Sequence, residues 1–108
     1  MDVGHKKQRT ELLGRSAAKA EAMLKQLAHA GRLIILCSLT EGEKTVGELV
    51  ELVGLSQSAV SQHLAKLREA KLVAPDKRGQ MVYYRICSKE AQALLSTLYR
   101  IYCKPWQR

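Results

Sequence analysis

The sequence has no apolar run long enough to cross a membrane. Its longest, Leu-Ile-Ile-Leu-Cys at 33–37, is far shorter than the roughly 20 residues that a spanning helix needs. The first segment, MDVGHKKQRTELLGR at 1–15, also lacks the apolar core of a signal peptide. These absences argue against a membrane partner and against secretion, and we expect the protein to act in the cytoplasm.

Cysteine is scarce, and its spacing excludes several kinds of site. Three widely separated residues, Cys37, Cys87 and Cys103, do not make the even framework of a secreted disulfide scaffold. No pair of cysteines has the CxxC spacing of a thiol oxidoreductase. Because the sequence also has no HxxxH spacing, it does not indicate a preformed zinc site. We therefore expect no enzyme activity, no bound metal and no cofactor, with the cysteines present as free thiols.

Positive charge is what the sequence has in excess. Lys and Arg number 18 against 10 Asp and Glu, which gives a net charge of +8 over 108 residues. No basic amphipathic stretch is available for a lipid surface, so this excess indicates nucleic acid as the partner. A chain of this length forms one domain, and it is small enough for pairing with a second copy to stabilise it.

The N-terminal part divides at Ser16. Residues 1–15 are polar and contain two glycines, and we predict that they form a mobile basic N-terminal arm. From Ser16, helical spacing of Ala20, Met23 and Leu27 predicts the first helix. We predict that residues 16–108 form the DNA-binding and dimerisation domain.

Four further helices and a hairpin follow from apolar spacing and capping residues. The segment at 32–39 is apolar nearly all round, which predicts a short helix at the centre of the domain. Thr45 caps a third helix that Gly54 closes, and Ser56 caps a fourth, so the two make a helix-turn-helix. Ser88 caps a last helix with a wide apolar face.

Between the fourth and last helices, the pattern changes from helical to strand-like. Pieces at 72–74 and 81–86 are rich in β-forming residues and are separated by the turn sequence PDKRGQ, which predicts a β-hairpin, or wing. The predicted fold is therefore mainly α with a small β-hairpin, a winged helix-turn-helix. Because the last helix is more apolar than so small a domain needs, we expect a homodimer formed through the first and last helices.

The fourth helix begins with short hydrogen-bonding side chains, where a merely solvated face would more often carry Lys and Glu. Gln can bond adenine with two hydrogen bonds, and Ser can contact a base or a phosphate. We predict DNA contacts from this helix and the wing at Gln57, Ser58, Ser61, Gln62, Lys66, Lys77, Arg78 and Gln80. The alternative is a solvated Ser/Gln surface on a helix that only supports the core at Val60, Leu64 and Leu67. His63 is predicted to pack at the flank of that core.

The segment VGELVELVGLSQSAVSQHLAKLREAKLV at 46–73 and the following GQMVYYRI at 79–86 resemble the ArsR-type winged-helix repressors, over about residues 17–103. This resemblance implies a homodimeric cytosolic repressor that binds double-stranded operator DNA at an inverted repeat and releases it when an inducer binds. The metal-sensing branches carry ligands on a Cys-containing third helix or as Asp, His and Glu on the last helix. Here the third helix has no Cys, and the last helix has no His or Asp.

Cys37 and Cys103 resemble the dithiol of the sulfide- and persulfide-responsive branch of that family, the BigR/SqrR type with the HlyU-type regulators alongside. That resemblance implies that one cysteine on the second helix faces one on the last helix, and that reactive sulfur species bridge them and release the DNA. Cys87 has no counterpart and is predicted to be a packing residue. Two alternatives stay open: a metal- or arsenite-responsive repressor using the three cysteines with His5 or His29, and a DNA-binding regulator without an inducer.

Overall fold

The structure is a computed structural model that describes residues 3–103. The helices are α1 (Val3–Leu27), α2 (Ala30–Leu39), α3 (Val46–Val53), α4 (Gln57–Glu69) and α5 (Lys89–Tyr102), and the strands are β1 (Lys44–Thr45), β2 (Val73–Arg78) and β3 (Met81–Ile86). The predicted succession of four helices, a hairpin and a last helix is confirmed. The fold is a winged helix-turn-helix with a three-stranded antiparallel sheet.

α1 begins at Val3, so the predicted start at Ser16 is wrong. The segment before Ser16 is rich in Lys, Gln, Arg, Glu and Leu, which favour helix, and its two glycines cost only about 1 kcal/mol each. The independent movement of residues 1–15 as an arm stays a prediction. Residues 1, 2 and 104–108 of the predicted arm and domain lie outside the described residues.

β3 is the central strand, with β1 and β2 paired antiparallel on either side. β1 lies at the end of the TEGEK segment at 40–44, between α2 and α3, where the sequence pattern predicts no strand. It aligns Lys44 with Tyr84 and Thr45 with Tyr83. A strand of two residues is too short to show the alternation from which strands are predicted. Only its pairing with β3 reveals it.

β2 is longer than the predicted piece at 72–74, because it continues to Arg78. Pro75 favoured a turn, but β2 is an edge strand, where the missing N–H of proline can be tolerated. The turn is reduced to two residues, of which Gly79 has a φ of 61°, as tight hairpin turns require. The wing is therefore a longer and more regular hairpin than its sequence predicted.

The core is centred on α2, which packs against α3, α4, α5 and β3. Ile35 and Leu36 on α2 are fully buried, as are Leu49 on α3 and Leu95 on α5. The predicted inward stripe of α4 is confirmed, since its buried residues are Val60, Leu64 and Leu67. In the segment from residue 3 to residue 103, no helix has both the length and the apolar character needed to cross a membrane.

Apolar side chains remain exposed on α5 and on α1, whose residues 4–22 are exposed all round. They are Leu12, Leu13 and Leu24 on α1, and Leu94, Ile101 and Tyr102 on α5. Only Ala91 and Leu95 of the predicted apolar face of α5 are buried within the subunit. We call these six exposed residues the outer face. Exposed apolar side chains that cluster, as Leu24 and Leu94 do in a cleft between α1 and α5, mark an interaction surface.

Candidate nucleic-acid interface and thiol groove

Local hydrogen bonds fix the start of α4 relative to α3. Gly54 ends α3 in the left-handed conformation, with a φ of 72°. Ser56 begins α4, and its side-chain oxygen accepts a hydrogen bond of 3.1 Å from the backbone N–H of Ala59. Thr45 and Glu48 form a reciprocal capping box at the start of α3. The predicted caps at Thr45, Gly54 and Ser56 are therefore confirmed, and they hold the helix-turn-helix in one geometry.

The polar residues predicted to contact DNA from α4 all lie on its exposed side. They are Gln57, Ser58, Ser61, Gln62 and Lys66. The opposite side of α4 is fixed in the core, so these side chains have a defined direction. The N-terminal end of a helix also carries partial positive charge, which favours phosphate. The arrangement presents donors and acceptors at a helix tip, as major-groove recognition requires.

His63 lies beside this surface, where α4 meets the start of α2. Its ring centroid is 4.8 Å from that of His29, and a Cβ on Gly31 would come within 2.7 Å of its Nε2. Burial lowers the pKa of His63, and His29, Arg32 and Lys66 lower it further. His63 is therefore a half-buried contact between two helices, as its predicted flank position requires.

The wing residues predicted to contact DNA are also exposed: Lys77, Arg78 and Gln80. Arg78 differs from the other two because carboxylates already surround its guanidinium. Its Nε and Nη2 donate to Asp76 Oδ2 over 3.1 and 3.0 Å, and its Nη2 donates to Glu43 Oε2 over 2.5 Å. The guanidinium carbon lies 4.7 Å from the ring centre of Tyr83. Hydrogen bonds to Glu43 and Asp76 raise the pKa of Arg78.

A groove of about 500 Å³ lies between α2, α3 and the end of α5, and we call it the thiol groove. Its lining residues are Leu33, Ile34, Cys37, Ser38, Glu41, Leu52, Leu98, Tyr99, Tyr102 and Cys103. Cys37 and Cys103 are both partly buried and both free thiols. The structure thus brings the two cysteines singled out from the sequence to one mostly apolar groove.

Electrostatics connects the two cysteines of the groove. Burial raises the pKa of the Cys37 thiol above its ordinary value, and Cys103 raises it further, because two thiolates close together repel. α5 ends at Tyr102, and Cys103 is its C-terminal cap. The Cys103 backbone is still helical, with its N–H donating to the Tyr99 carbonyl oxygen over 2.8 Å, so the last turn of α5 carries this thiol to the groove.

Cys87 lies apart from the thiol groove, immediately after β3. Its Sγ donates to the carbonyl oxygen of Lys71 over 3.5 Å, and the residue is exposed. The predicted packing role is therefore wrong, because Ile86 packs against the core and Cys87 follows it outward. Over the described part of the chain, no three His, Cys, Asp or Glu residues form a group that could hold a metal ion.

Sequence reasoning missed the acidic partners of Arg78. Asp76 and Arg78 are separated by one residue on β2 and so share a face of that strand, a spacing that could have suggested their contact. Glu43 comes from the loop before β1. Its approach depends on the pairing of β1 with β3, for which the sequence carries no local signal.

Comparison with known proteins now identifies the family. The family model described as "Bacterial regulatory protein, arsR family" matches residues 29–74. The transcriptional activator HlyU of Vibrio cholerae serotype O1 is 47% identical over 90 residues, which are 83% of each chain. The chain belongs to the ArsR family. ArsR-family proteins of this kind are transcriptional regulators, which are not enzymes.

Solved structures of ArsR-family relatives have the same fold. Reduced HlyU from Vibrio cholerae has a TM-score of 0.83 at 45% identity, covering 87% of this chain and 99% of that one. The transcriptional repressor BigR from Xylella fastidiosa has a TM-score of 0.80 at 36% identity, covering 87% and 96%. A homodimeric winged helix-turn-helix DNA-binding domain from Mycobacterium bovis has a TM-score of 0.72 at 25% identity, covering 86% of each. This ArsR-family chain is a DNA-binding transcriptional regulator.

Proposed function

We propose that this protein is a homodimeric, cytoplasmic repressor that binds an inverted-repeat operator and releases it when reactive sulfur species bridge Cys37 and Cys103. The observation that carries the proposal is that both thiols line one groove, each partly buried and free. Relatives named as a repressor and as an activator are both similar to this chain. We favour repression because a bridge that moves α5 would disturb the geometry with which a dimer holds DNA.

The bridging chemistry needs no oxidant beyond the sulfur donor itself. A cysteine thiolate attacks the outer sulfur of a persulfide RSSH, so that RS⁻ leaves and Cys–S–SH forms. A second RSSH extends this persulfide by one sulfur, with loss of another RS⁻. The other thiolate then attacks the middle sulfur and expels HS⁻, leaving a trisulfide in which one added sulfur joins the Sγ atoms of Cys37 and Cys103. Two persulfides and two thiols thus give one trisulfide, two RSH and H₂S.

The groove affects both the reactivity of the Cys37 thiol and the length of the bridge that can join it to Cys103. Because burial and Cys103 raise the pKa of Cys37, less of it is the nucleophilic thiolate at neutral pH. The groove is open to solvent, since Ile34, Leu52 and Tyr102 of its lining are exposed, so a sulfur donor can reach the two thiols. A bridge of three sulfurs spans a wider gap than a disulfide, whose Cα atoms must lie within about 7 Å.

Release of DNA follows from the position of the bridge. It ties α2, at the centre of the subunit, to α5, which carries half of the outer face. The two α4 helices of a dimer must lie about 34 Å apart to enter successive major grooves. A shift of α5 alters that spacing, and a coupling free energy of about 1–3 kcal/mol suffices for a 5- to 150-fold loss of affinity.

The test compares Cys37→Ser, Cys103→Ser and, as a matched control, Cys87→Ser. The probe is a duplex of about 30 base pairs, selected by the reduced protein from a random pool and long enough for two half-sites one turn apart. We expect all three variants to bind it when reduced. Glutathione persulfide should release the wild type and Cys87→Ser but neither groove variant, measured by gel shift.

Mass spectrometry gives the second half of the test. We expect persulfide to add a three-sulfur bridge between Cys37 and Cys103 in the wild type. Normal release of Cys37→Ser by persulfide would contradict the proposal. A plain Cys37–Cys103 disulfide from both persulfide and peroxide would contradict the selectivity for reactive sulfur. Release by zinc, cadmium or arsenite, with no response to persulfide, would favour the metal-responsive alternative.

A further inference from the structure

The wing carries a cluster of charges that the proposed function does not use. Arg78, at the end of β2, is held by Asp76 on its own strand and by Glu43 from the loop between α2 and β1. Both carboxylates accept a hydrogen bond from Nη2 of Arg78, and Asp76 also accepts one from its Nε. Tyr83 lies under the guanidinium. One cation therefore joins groups from two segments that are far apart in sequence.

The sheet explains why these groups meet. Tyr83 on β3 lies opposite Asp76 of β2 on one side and Thr45 of β1 on the other. Glu43 precedes β1 by one residue and so lies at the same end of the sheet. The cluster connects the hairpin to the loop that follows α2, in addition to the short β1–β3 pairing.

We propose that Arg78 is a positioning residue, which clamps the wing to the α2–β1 loop, and that phosphate contact from β2 falls to Lys77. This inference rests on DNA binding by the protein but goes beyond it, because it withdraws Arg78 from the predicted contacts. A phosphate approaching the guanidinium meets two negative carboxylates. Lys77 is exposed and forms no ion pair with any residue between 3 and 103.

The variant Glu43→Gln distinguishes a clamping role of Arg78 from a phosphate-binding role, because the two roles predict opposite effects on DNA affinity. If Arg78 clamps the wing, loss of the carboxylate loosens the hairpin and weakens DNA binding. If Arg78 contacts phosphate, the same change frees the guanidinium and tightens binding. The dependence of affinity on salt separates them again, because each phosphate contact contributes about 0.9 to the slope of log K against log salt.

The experiment measures affinity for the selected duplex at several salt concentrations, with the reduced full-length protein. We expect Arg78→Gln and Glu43→Gln each to weaken binding by about two- to fivefold, the range of an exposed ion pair, with unchanged salt slopes. Lys77→Gln, the matched control, should lower the slope by about 0.9. Because Glu43 acts in this cluster only through Arg78, the Glu43→Gln/Arg78→Gln double variant should bind no more weakly than Arg78→Gln alone.

Several results would overturn the inference. They are tighter binding or no change in Glu43→Gln, a slope lowered by about 0.9 in Arg78→Gln, and additive losses in the double variant. Circular dichroism melting of each variant confirms that the folded fraction is unchanged at the assay temperature. Failure of the wild type to bind any duplex would instead contradict DNA binding itself, so the two failures are distinguishable.

Discussion

At the scale of single residues, His63 shows how the surroundings of one side chain make stability depend on pH. It lies between α4 and the start of α2, and the groups facing it are His29, Arg32 and Lys66, all basic. Its pKa is lower in the folded protein than in the unfolded chain. The folded state therefore binds fewer protons, so this contribution to stability is fully present above the unfolded pKa and is lost as pH falls through the folded one.

We therefore predict that His63→Gln makes folding less sensitive to acid. When the pH falls from 7.5 to 5.5, across the ordinary histidine pKa of about 6.5, the melting temperature of the wild type should fall further than that of the variant. Thermal unfolding at both pH values measures this, with His5→Gln on the exposed part of α1 as control. Parallel losses in the wild type and His63→Gln would contradict the prediction.

The thiols and the charged wing differ in how far sequence could identify them. Cys37 and Cys103 were paired by a family resemblance, and the spacing of the last helix alone left their approach undecided. The structure places both residues in the lining of one groove, a tertiary arrangement that helical spacing does not encode. Arg78 was predicted as a DNA contact from its charge and position. Its engagement by Glu43 depends on a tertiary contact that neither charge nor periodicity encodes.

At the scale of elements, α4 has a buried apolar stripe on one side and exposed polar residues near its N-terminus. Substitutions can therefore change the polar residues without disturbing the core. We predict that Ser58→Ala with Gln62→Ala abolishes specific binding to the selected duplex. Loss of one two-bond base contact costs about 1–3 kcal/mol, while the core at Val60 and Leu64 is untouched. Fluorescence anisotropy measures affinity, and melting checks the fold.

A matched control for that pair is Gln92→Ala with Ser96→Ala, since these residues are also one helical turn apart and lie on α5 outside the outer face. It removes the same side chains from a surface with no predicted DNA contact. We expect its affinity to equal that of the wild type. Equal losses from the two pairs would show that the effect is general to the protein and not a property of the α4 tip.

The elements themselves were predictable where local chemistry decides them. Thr45, Gly54 and Ser56 carry strong capping signals, and the structure has a helix boundary at each. Ser16 is an equally good cap by composition, yet the helix runs through it because the preceding residues also favour helix. β1 and the full length of β2 depend on strand pairing, which a local pattern cannot report.

At the scale of the whole molecule, the outer face is the surface to which we expect a second copy of the chain to bind. Leu24 and Leu94 are 53% and 39% exposed in the single subunit, and both line a cleft between α1 and α5. The core beneath is already closed by Ala91 and Leu95. A dimer formed here would bury apolar surface and give the two-fold symmetry that an inverted repeat demands.

We predict that Leu94→Glu converts the protein to a folded monomer and weakens binding to the selected duplex by more than tenfold. A charge buried in an apolar interface costs several kcal/mol. Light scattering after size exclusion measures the mass. Met81→Glu is the control for mass, because Met81 is 50% exposed on the wing, away from the outer face. A Leu94→Glu protein that remains dimeric would place the interface elsewhere.

The carboxylates around Arg78 have a consequence for how the regulator searches a chromosome. Indiscriminate attachment to DNA grows with the number of cations free to neutralise phosphates. A hairpin that keeps Asp76 and Glu43 against its arginine offers fewer such cations than its composition suggests. Complexes with non-cognate DNA are then shorter-lived, so the lifetime of the complex with the cognate sequence depends more on the bases that α4 recognises.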